Sequence, residues 1–211
     1  MAVNLRAARR RGTERLRMTV EEYLAFEEMS QEKHEYVDGW VYPLFPEIDG
    51  MAGGTNNHAA LTSNIGRLLG NALDDSPCIV YSPDARVQID ATNYRYPDVA
   101  VSCDPRDLEA GDEKRIHHPR VLVEVLSDGT EDVDRIDKLA EYRALPSVRD
   151  YLLVNYAARL IEHYHRAGEL WTYRTYGPGE TIALEGLGVA LTVDRIYAKV
   201  RLPGDASSGQ L

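Results

Sequence analysis

The chain has 211 residues, of which 44% are hydrophobic and 27% charged, and its 34 Asp and Glu outnumber 24 Lys and Arg for a formal charge of −10. That composition excludes wholesale disorder, collagen-like repeats and coiled coil, and the length suffices for one domain whose core removes roughly 70% of the unfolded chain's surface. Without a run of about 18 apolar residues or a basic-then-apolar leader, neither a membrane span nor export is expected, and the sign of the charge excludes a polycation that coats nucleic acid.

Residues 1–17 carry Arg6, Arg9, Arg10, Arg11, Arg15 and Arg17 with almost no apolar pattern and read as a flexible basic arm, either a phosphate-tracking segment or a solvated leader. Thr19-Val20-Glu21-Glu22 is a capping box ahead of Tyr23, Leu24 and Phe26 and predicts a short helix to Met29. Asp38-Gly39, flanked by Glu35-Tyr36-Val37 and Trp40-Val41-Tyr42, predicts a hairpin with a type I′ turn. From His58 onward Leu61, Ile65, Leu68, Leu69, Ala72 and Leu73 share one face of a long helix, with Asn56 or Asn57 as its cap. Strands are expected over 79–81, 85–89, 96–101 and 121–126, in a mainly antiparallel sheet. A helix over 131–145 follows, with Thr130 before it and Pro146 stopping it. Residues 151–154 return as a buried strand, 159–165 and 170–176 flank Ala167-Gly168 as a hairpin, and 189–200 close the fold. The expected organisation is a basic arm over 1–17, a single domain over 18–202 and a disordered tail over 203–211. Cys78 and Cys103 are too few for a disulfide framework or a four-ligand zinc site and read as reduced packing residues of a cytoplasmic protein.

Val121-Leu122-Val123-Glu124-Val125-Leu126 is an apolar strand with one carboxylate in its middle. By strand alternation Glu124 shares a face with Leu122 and Leu126, and an unpaired buried charge costs several kcal/mol, so the group needs a cation, a proton or water. An edge strand or a buried salt bridge would supply these without any function. Tyr96-Pro97-Asp98-Val99-Ala100-Val101 carries a second acid near its start. If the two strands pair, Asp98 and Glu124 converge; otherwise Asp98 is a turn or capping aspartate. Two carboxylates about 4 Å apart repel by about 4 kcal/mol at an effective dielectric of about 20, so joint ionisation calls for a divalent ion, and oxygen ligands favour Mg²⁺ or Mn²⁺ over zinc.

On the following helix Glu131, Asp134, Lys138, Tyr142 and Leu145 form one stripe. Lys138 facing the acids would orient an attacking water or stabilise charge developing on a phosphoryl group; turned outward it is a surface lysine paired with Asp134. His163 and His165, two apart on a strand, face one side as metal ligands could, but no third ligand is evident beside them and they read as a hairpin surface. His117 and His118 point in opposite directions and receive no role.

Glu35-Tyr36-Val37-Asp38-Gly39, His58, Pro97-Asp98-Val99, Val123-Glu124-Val125-Leu126-Ser127, then Asp134, Lys138, Tyr142 and Tyr151-Leu152-Leu153-Val154 together resemble the Uma-two family of the PD-D/E-x-K nuclease superfamily, over about residues 18–200. The resemblance implies an α/β (α+β) restriction-endonuclease-like core, a mixed, mostly antiparallel sheet flanked by helices. Asp98 and Glu124 match the metal-binding acids, joined by the Val125 carbonyl. The superfamily's lysine two residues after the second acid is replaced by Leu126, and Lys138 matches the relocated amine. Glu35 matches a further supporting acid, His58 either donates to a phosphate or caps its helix, Asp134 either positions Lys138 or joins the metal shell, and Tyr142 packs against the sheet. The implied activity is Mg²⁺- or Mn²⁺-dependent hydrolysis of DNA by a homodimer. A nucleic-acid-binding or protein-interaction module that does not cut, and a hydrolase of smaller phosphoesters, are the rivals.

Overall fold

The computed structural model describes residues 16–44, 55–111, 114–127, 131–202 and 205, which fall into two compact units. The expected arm over 1–15, the Thr130 cap and nearly all of the tail lie outside the described residues. In chain order the elements are β1 (Leu16–Arg17), α1 (Val20–Met29), β2 (His34–Val37), β3 (Trp40–Pro43), α2 (Asn56–Ala72), β4 (Ile79–Tyr81), β5 (Arg86–Asp90), β6 (Asn93–Arg95) and β7 (Val99–Ser102). They continue as α3 (Pro105–Leu108), β8 (Arg115–Ile116), β9 (Pro119–Val125), a π-helix (Val133–Lys138) running directly into α4 (Leu139–Ala144), and β10 (Asp150–Val154). Last come β11 (Ile161–Ala167), β12 (Leu170–Tyr176), β13 (Thr181–Leu184), β14 (Val189–Thr192) and α5 (Val193–Ile196).

The first unit takes in residues up to Gly53 and Gln88–Arg95. Thr19 and Glu22 close the capping box of α1 reciprocally, Thr19 N–H donating to the Glu22 carboxylate at 2.8 Å and Glu22 N–H to the Thr19 hydroxyl at 3.2 Å. Asp38 and Gly39 both have positive φ, +51° and +86°, the geometry a type I′ turn demands between β2 and β3. Leu16 and Arg17, expected to be part of the free arm, instead pair with Val41 and Trp40 as an edge strand. Tyr23 stacks on Tyr36 at 4.7 Å between centroids and leans on Tyr94, so one helix turn and two strands share an aromatic core.

The second unit, Gly54–Val87 with Tyr96–Leu211, is built on a six-stranded sheet ordered β12-β11-β10-β9-β7-β4. Every pairing in it is antiparallel except β9–β10, which is parallel. A parallel neighbour requires a long crossover, and the helical segment 131–144 supplies it. Val121, Val123 and Val125 of β9 pack with Leu152 and Val154 of β10, with Leu61, Ile65 and Leu69 of α2, and with Ile182 and Leu191 of the β13–β14 hairpin. Leu122 and Glu124 therefore face the other side, toward α4.

Three local expectations change. The cap of α2 is Thr55, whose hydroxyl accepts from His58 N–H at 3.2 Å, while the Asn57 amide donates to the Arg201 carbonyl at 2.7 Å. Residues 189–200 form the short strand β14 followed by α5, and β14 pairs with β13, a strand not anticipated. Cys78 and Cys103 do pack against the core, but they are joined by a disulfide rather than reduced. They flank the paired residues Ile79 and Ser102 at the end of the β4–β7 ladder, and this register brings them together. The thiols thus lend no support to a reducing compartment. No helix among the described residues is long and apolar enough to cross a membrane.

Candidate active site

The β7–β9 ladder places Val99 opposite Val123 and Ala100 opposite Leu122. One further step in the same register sets Asp98 opposite Glu124, on the face that alternation assigns to both. Pro97 cannot donate to a ladder, so regular pairing stops there and the Asp98 side chain turns across. Its Oδ2 accepts the Val125 backbone N–H at 2.7 Å, taking the place of a main-chain partner.

Glu124 is 3% exposed. Its Oε1 accepts from Lys138 Nζ at 2.9 Å and from the Tyr142 hydroxyl at 2.9 Å. Among the described residues no hydrogen bond reaches Oε2. Lys138 Nζ also lies 3.0 Å from Asp134 Oδ1, so the ammonium bridges two acids. The π-winding over Val133–Lys138 occurs at these two charged residues, both buried, and such segments recur at functional sites. Tyr142 sits edge-on against Tyr151, whose hydroxyl donates to the Asp134 carbonyl at 3.0 Å and pins the wound segment to β10. Burial, reinforced by the charges of Glu124 and Asp134, pushes the Tyr151 phenol well above its ordinary range.

His58 completes the cluster. Its Nε2 is 3.2 Å from Asp98 Oδ2, and the ring is within hydrogen-bond reach of the Val125 carbonyl. Burial disfavours the imidazolium, but the hydrogen bond and charge of Asp98, with Asp134 and that carbonyl, prevail and raise its pKa. The Glu124 carboxyl is pushed well above the ordinary carboxylate range, first by burial, with Lys138 opposing and Asp134 and Asp98 adding to the rise. Three carboxyl groups, Asp98, Glu124 and Asp134, share one lysine ammonium and the His58 ring, so the cluster is rich in acid oxygens and short of cations. A divalent ion held by hard oxygen donors fits that deficit, and Asp98, Glu124 and the Val125 carbonyl are the oxygens at hand.

Of the residues singled out in the sequence, Asp98, Glu124, Val125, Lys138, Asp134, Tyr142 and His58 thus come together in the second unit. Glu35 belongs to the first unit, where its Oε2 accepts from Arg95 Nη1 at 2.8 Å in a buried ion pair. Sequence reasoning missed Tyr151 as the anchor of the lysine-bearing segment; its place opposite Leu122 follows from the β9–β10 register, which no local sequence signal carries. It also missed Asp150 beside His163 and His165, and His163 is buried rather than on a hairpin surface. His117 and His118 donate their backbone N–H groups to Asp107 and, with Arg106, Arg120 and Arg149, line a basic cavity of about 490 Å³. Arg120 lies four residues before Glu124 on β9, about 13 Å along the strand, so this basic cavity is not the carboxylate cluster.

The Uma2 family, described as "Putative restriction endonuclease", matches residues 20–194. The chain belongs to this family. Two relatives from Synechocystis sp. extend the match: the uncharacterized protein slr1290 is 38% identical over 183 residues, 86% of this chain and 92% of the relative. The uncharacterized protein sll1609 is 31% identical over 169 residues, 80% and 92% of the two chains. A crystal structure from Anabaena variabilis ATCC 29413, described as "a putative nuclease belonging to DUF820", superposes with a TM-score of 0.68 over 85% of this chain and 97% of that one. At 14% identity that likeness is one of fold. The Uma2 membership and nuclease-like α+β fold expected from the order of the motifs are therefore borne out.

Proposed function

We propose that this Uma2 protein is a metal-dependent endonuclease that hydrolyses DNA phosphodiester bonds, within a domain spanning 18–202. The observation that carries the reading is the convergence of Asp98, partly covered, with the buried Glu124 and Lys138 ammonium on one acid-rich cluster. Asp98, Glu124 and the Val125 carbonyl would hold Mg²⁺ or Mn²⁺. Once bound, that ion would polarise a phosphoryl oxygen and acidify a coordinated water.

The protein's own groups divide the remaining work. Lys138 orients the attacking water and, as a fixed cation, stabilises charge developing on the phosphoryl oxygens. Asp134 positions the ammonium through the 3.0 Å contact, and Tyr142 holds the Glu124 carboxylate in its rotamer through Oε1. His58, held by Asp98, is placed to donate to a phosphate oxygen. Glu35 would act in support rather than at the reacting atoms, holding Arg95, three residues before Asp98 in the chain, in a buried ion pair. The lysine's absence from its usual sequence position does not favour a non-cutting module, because Nζ reaches Glu124 from the crossover helix all the same. A homodimer completes the proposal, with exposed Leu170 and Tyr173 on the sheet-edge strand β12 as apolar surface for a second copy.

The test is cleavage of supercoiled plasmid and of single-stranded DNA by purified protein with Mg²⁺ or Mn²⁺, set against Asp98→Asn and Lys138→Met. Metal-dependent nicking lost in both variants supports the reading. No cutting of either DNA by the wild type, or cutting unchanged in Asp98→Asn, overturns it. Cleavage of a simple phosphodiester without DNA binding moves the assignment to a smaller substrate.

A further inference from the structure

A second side-chain cluster lies on the sheet face opposite Glu124. In the β9–β10–β11 register Glu124 stands beside Leu153 and Leu153 beside Glu162, whereas Asp150 stands beside His165 and Leu152 beside His163. Alternation therefore puts Asp150, His163 and His165 together on the other face, at the start of β10 rather than the end of β9. His163 Nε2 is 2.8 Å and His165 Nδ1 2.7 Å from the same oxygen, Asp150 Oδ1. One ligand atom from each residue lies within 4.8 Å of the others.

The carboxylate is used unevenly. Asp150 is fully buried, yet its Oδ2 has no hydrogen-bond partner among the described residues. That oxygen lies against Gly186, where a Cβ would come within 3.6 Å of it. A buried acceptor with no partner is destabilising and calls for an explanation, which a cation held through both Asp150 oxygens would provide. Two imidazole nitrogens and one carboxylate make a borderline-soft donor set suited to Zn²⁺ rather than Mg²⁺, with a fourth position for water. With Nδ1 directed at Asp150, the other ring nitrogen of His165 lies 3.9 Å from Glu185 Oε2, close to a carboxylate but beyond hydrogen-bond distance.

We propose that Asp150, His163 and His165 bind one Zn²⁺ ion, independent of the Asp98–Glu124 centre, clipping β10 to β11. The experiment uses untagged full-length protein carrying Asp98→Asn and Glu124→Gln, so that the result does not depend on the nuclease reading. Zn²⁺ is titrated calorimetrically at about pH 7.5, Co²⁺ binding is followed through its visible d–d bands, and thermal unfolding is recorded with and without Zn²⁺. One equivalent of Zn²⁺ should bind and raise the Tm. His165→Gln, whose side chain is 22% exposed, should retain the fold by circular dichroism, and both it and His163→Gln should weaken binding by about 100-fold or more. The proposal is overturned if the double variant binds no Zn²⁺, or if affinity and the Co²⁺ spectrum are unchanged in a folded His165→Gln protein; the cluster is then a hydrogen-bonded His-Asp-His bridge only.

Discussion

Replacing Glu124 with glutamine tests the charge account of the candidate site through stability as well as activity. The Lys138 ammonium at 2.9 Å attracts the Glu124 carboxylate by about 6 kcal/mol at an effective dielectric of about 20. Against that stand a desolvation penalty of several kcal/mol for a buried carboxylate and repulsion from Asp134 and Asp98. Burial and the neighbouring acids prevail, since the carboxyl's pKa stands well above the ordinary range. Glutamine keeps the shape, and its Oε1 can still accept from Nζ and the Tyr142 hydroxyl, while Lys138 retains Asp134 at 3.0 Å. Metal-free Glu124→Gln should therefore be more stable than wild type by about 1–3 kcal/mol at about pH 8. For a chain of this size each kcal/mol shifts Tm by about 2–4 °C. Because the folded carboxyl holds its proton more tightly than the unfolded one, the wild type's contribution is full below the ordinary carboxylate range and is lost as pH rises through the folded pKa. The variant's advantage should be small near about pH 5 and grow toward about pH 8, while its Mg²⁺- or Mn²⁺-dependent rise in Tm disappears. Thermal unfolding in EDTA and in Mg²⁺ across that range decides it. A variant less stable than wild type at about pH 8 in EDTA, or an advantage that does not change with pH, refutes the reasoning.

The opposite sign is expected for Lys138→Met, which leaves Glu124 and Asp134 buried without their ammonium: a loss of about 3–5 kcal/mol by denaturant unfolding, and cleavage reduced by about 10²–10³. Wild-type cutting rates in folded Lys138→Met would remove the amine from the mechanism. The Cys78–Cys103 bond closes a separation of 25 residues, so the double serine variant should lose about 3 kcal/mol, and a reducing agent should destabilise the wild type equally and the variant not at all. Free thiols in the unreduced, unfolded protein would contradict that bond. Glu35→Gln should cost roughly 3 kcal/mol by removing the carboxylate from buried Arg95 while leaving calorimetric Mn²⁺ binding unchanged; lost Mn²⁺ binding at full stability would instead make Glu35 a ligand.

The acids were legible in the sequence because each violates a local rule. Glu124 interrupts an apolar strand, and Asp98 follows a proline at a strand start, so burial and strand termination mark both before any fold is known. Lys138 was legible only as a position on a helical stripe; whether it faced the sheet or solvent depended on how the crossover helix docks against β9 and β10. Thr55 displaced the neighbouring asparagines as cap because the helix begins at Asn56, two residues before the apolar pattern that starts at His58, and the polar residues that precede such a pattern are interchangeable on paper.

Sequence alone determined what short-range chemistry controls: the capping box of α1, the Asp38-Gly39 turn, the apolar face of α2 and the alternation of β9, each set by residues within a few positions of one another. Only tertiary structure decided the long-range pairings. The parallel placement of β10 beside β9 brought Tyr151 under the lysine-bearing helix, the β10–β11 register brought Asp150 to His163 and His165, and the β4–β7 register brought Cys78 to Cys103. Strand register is a property of two segments and of the core they share, so neither segment's residues can specify it alone.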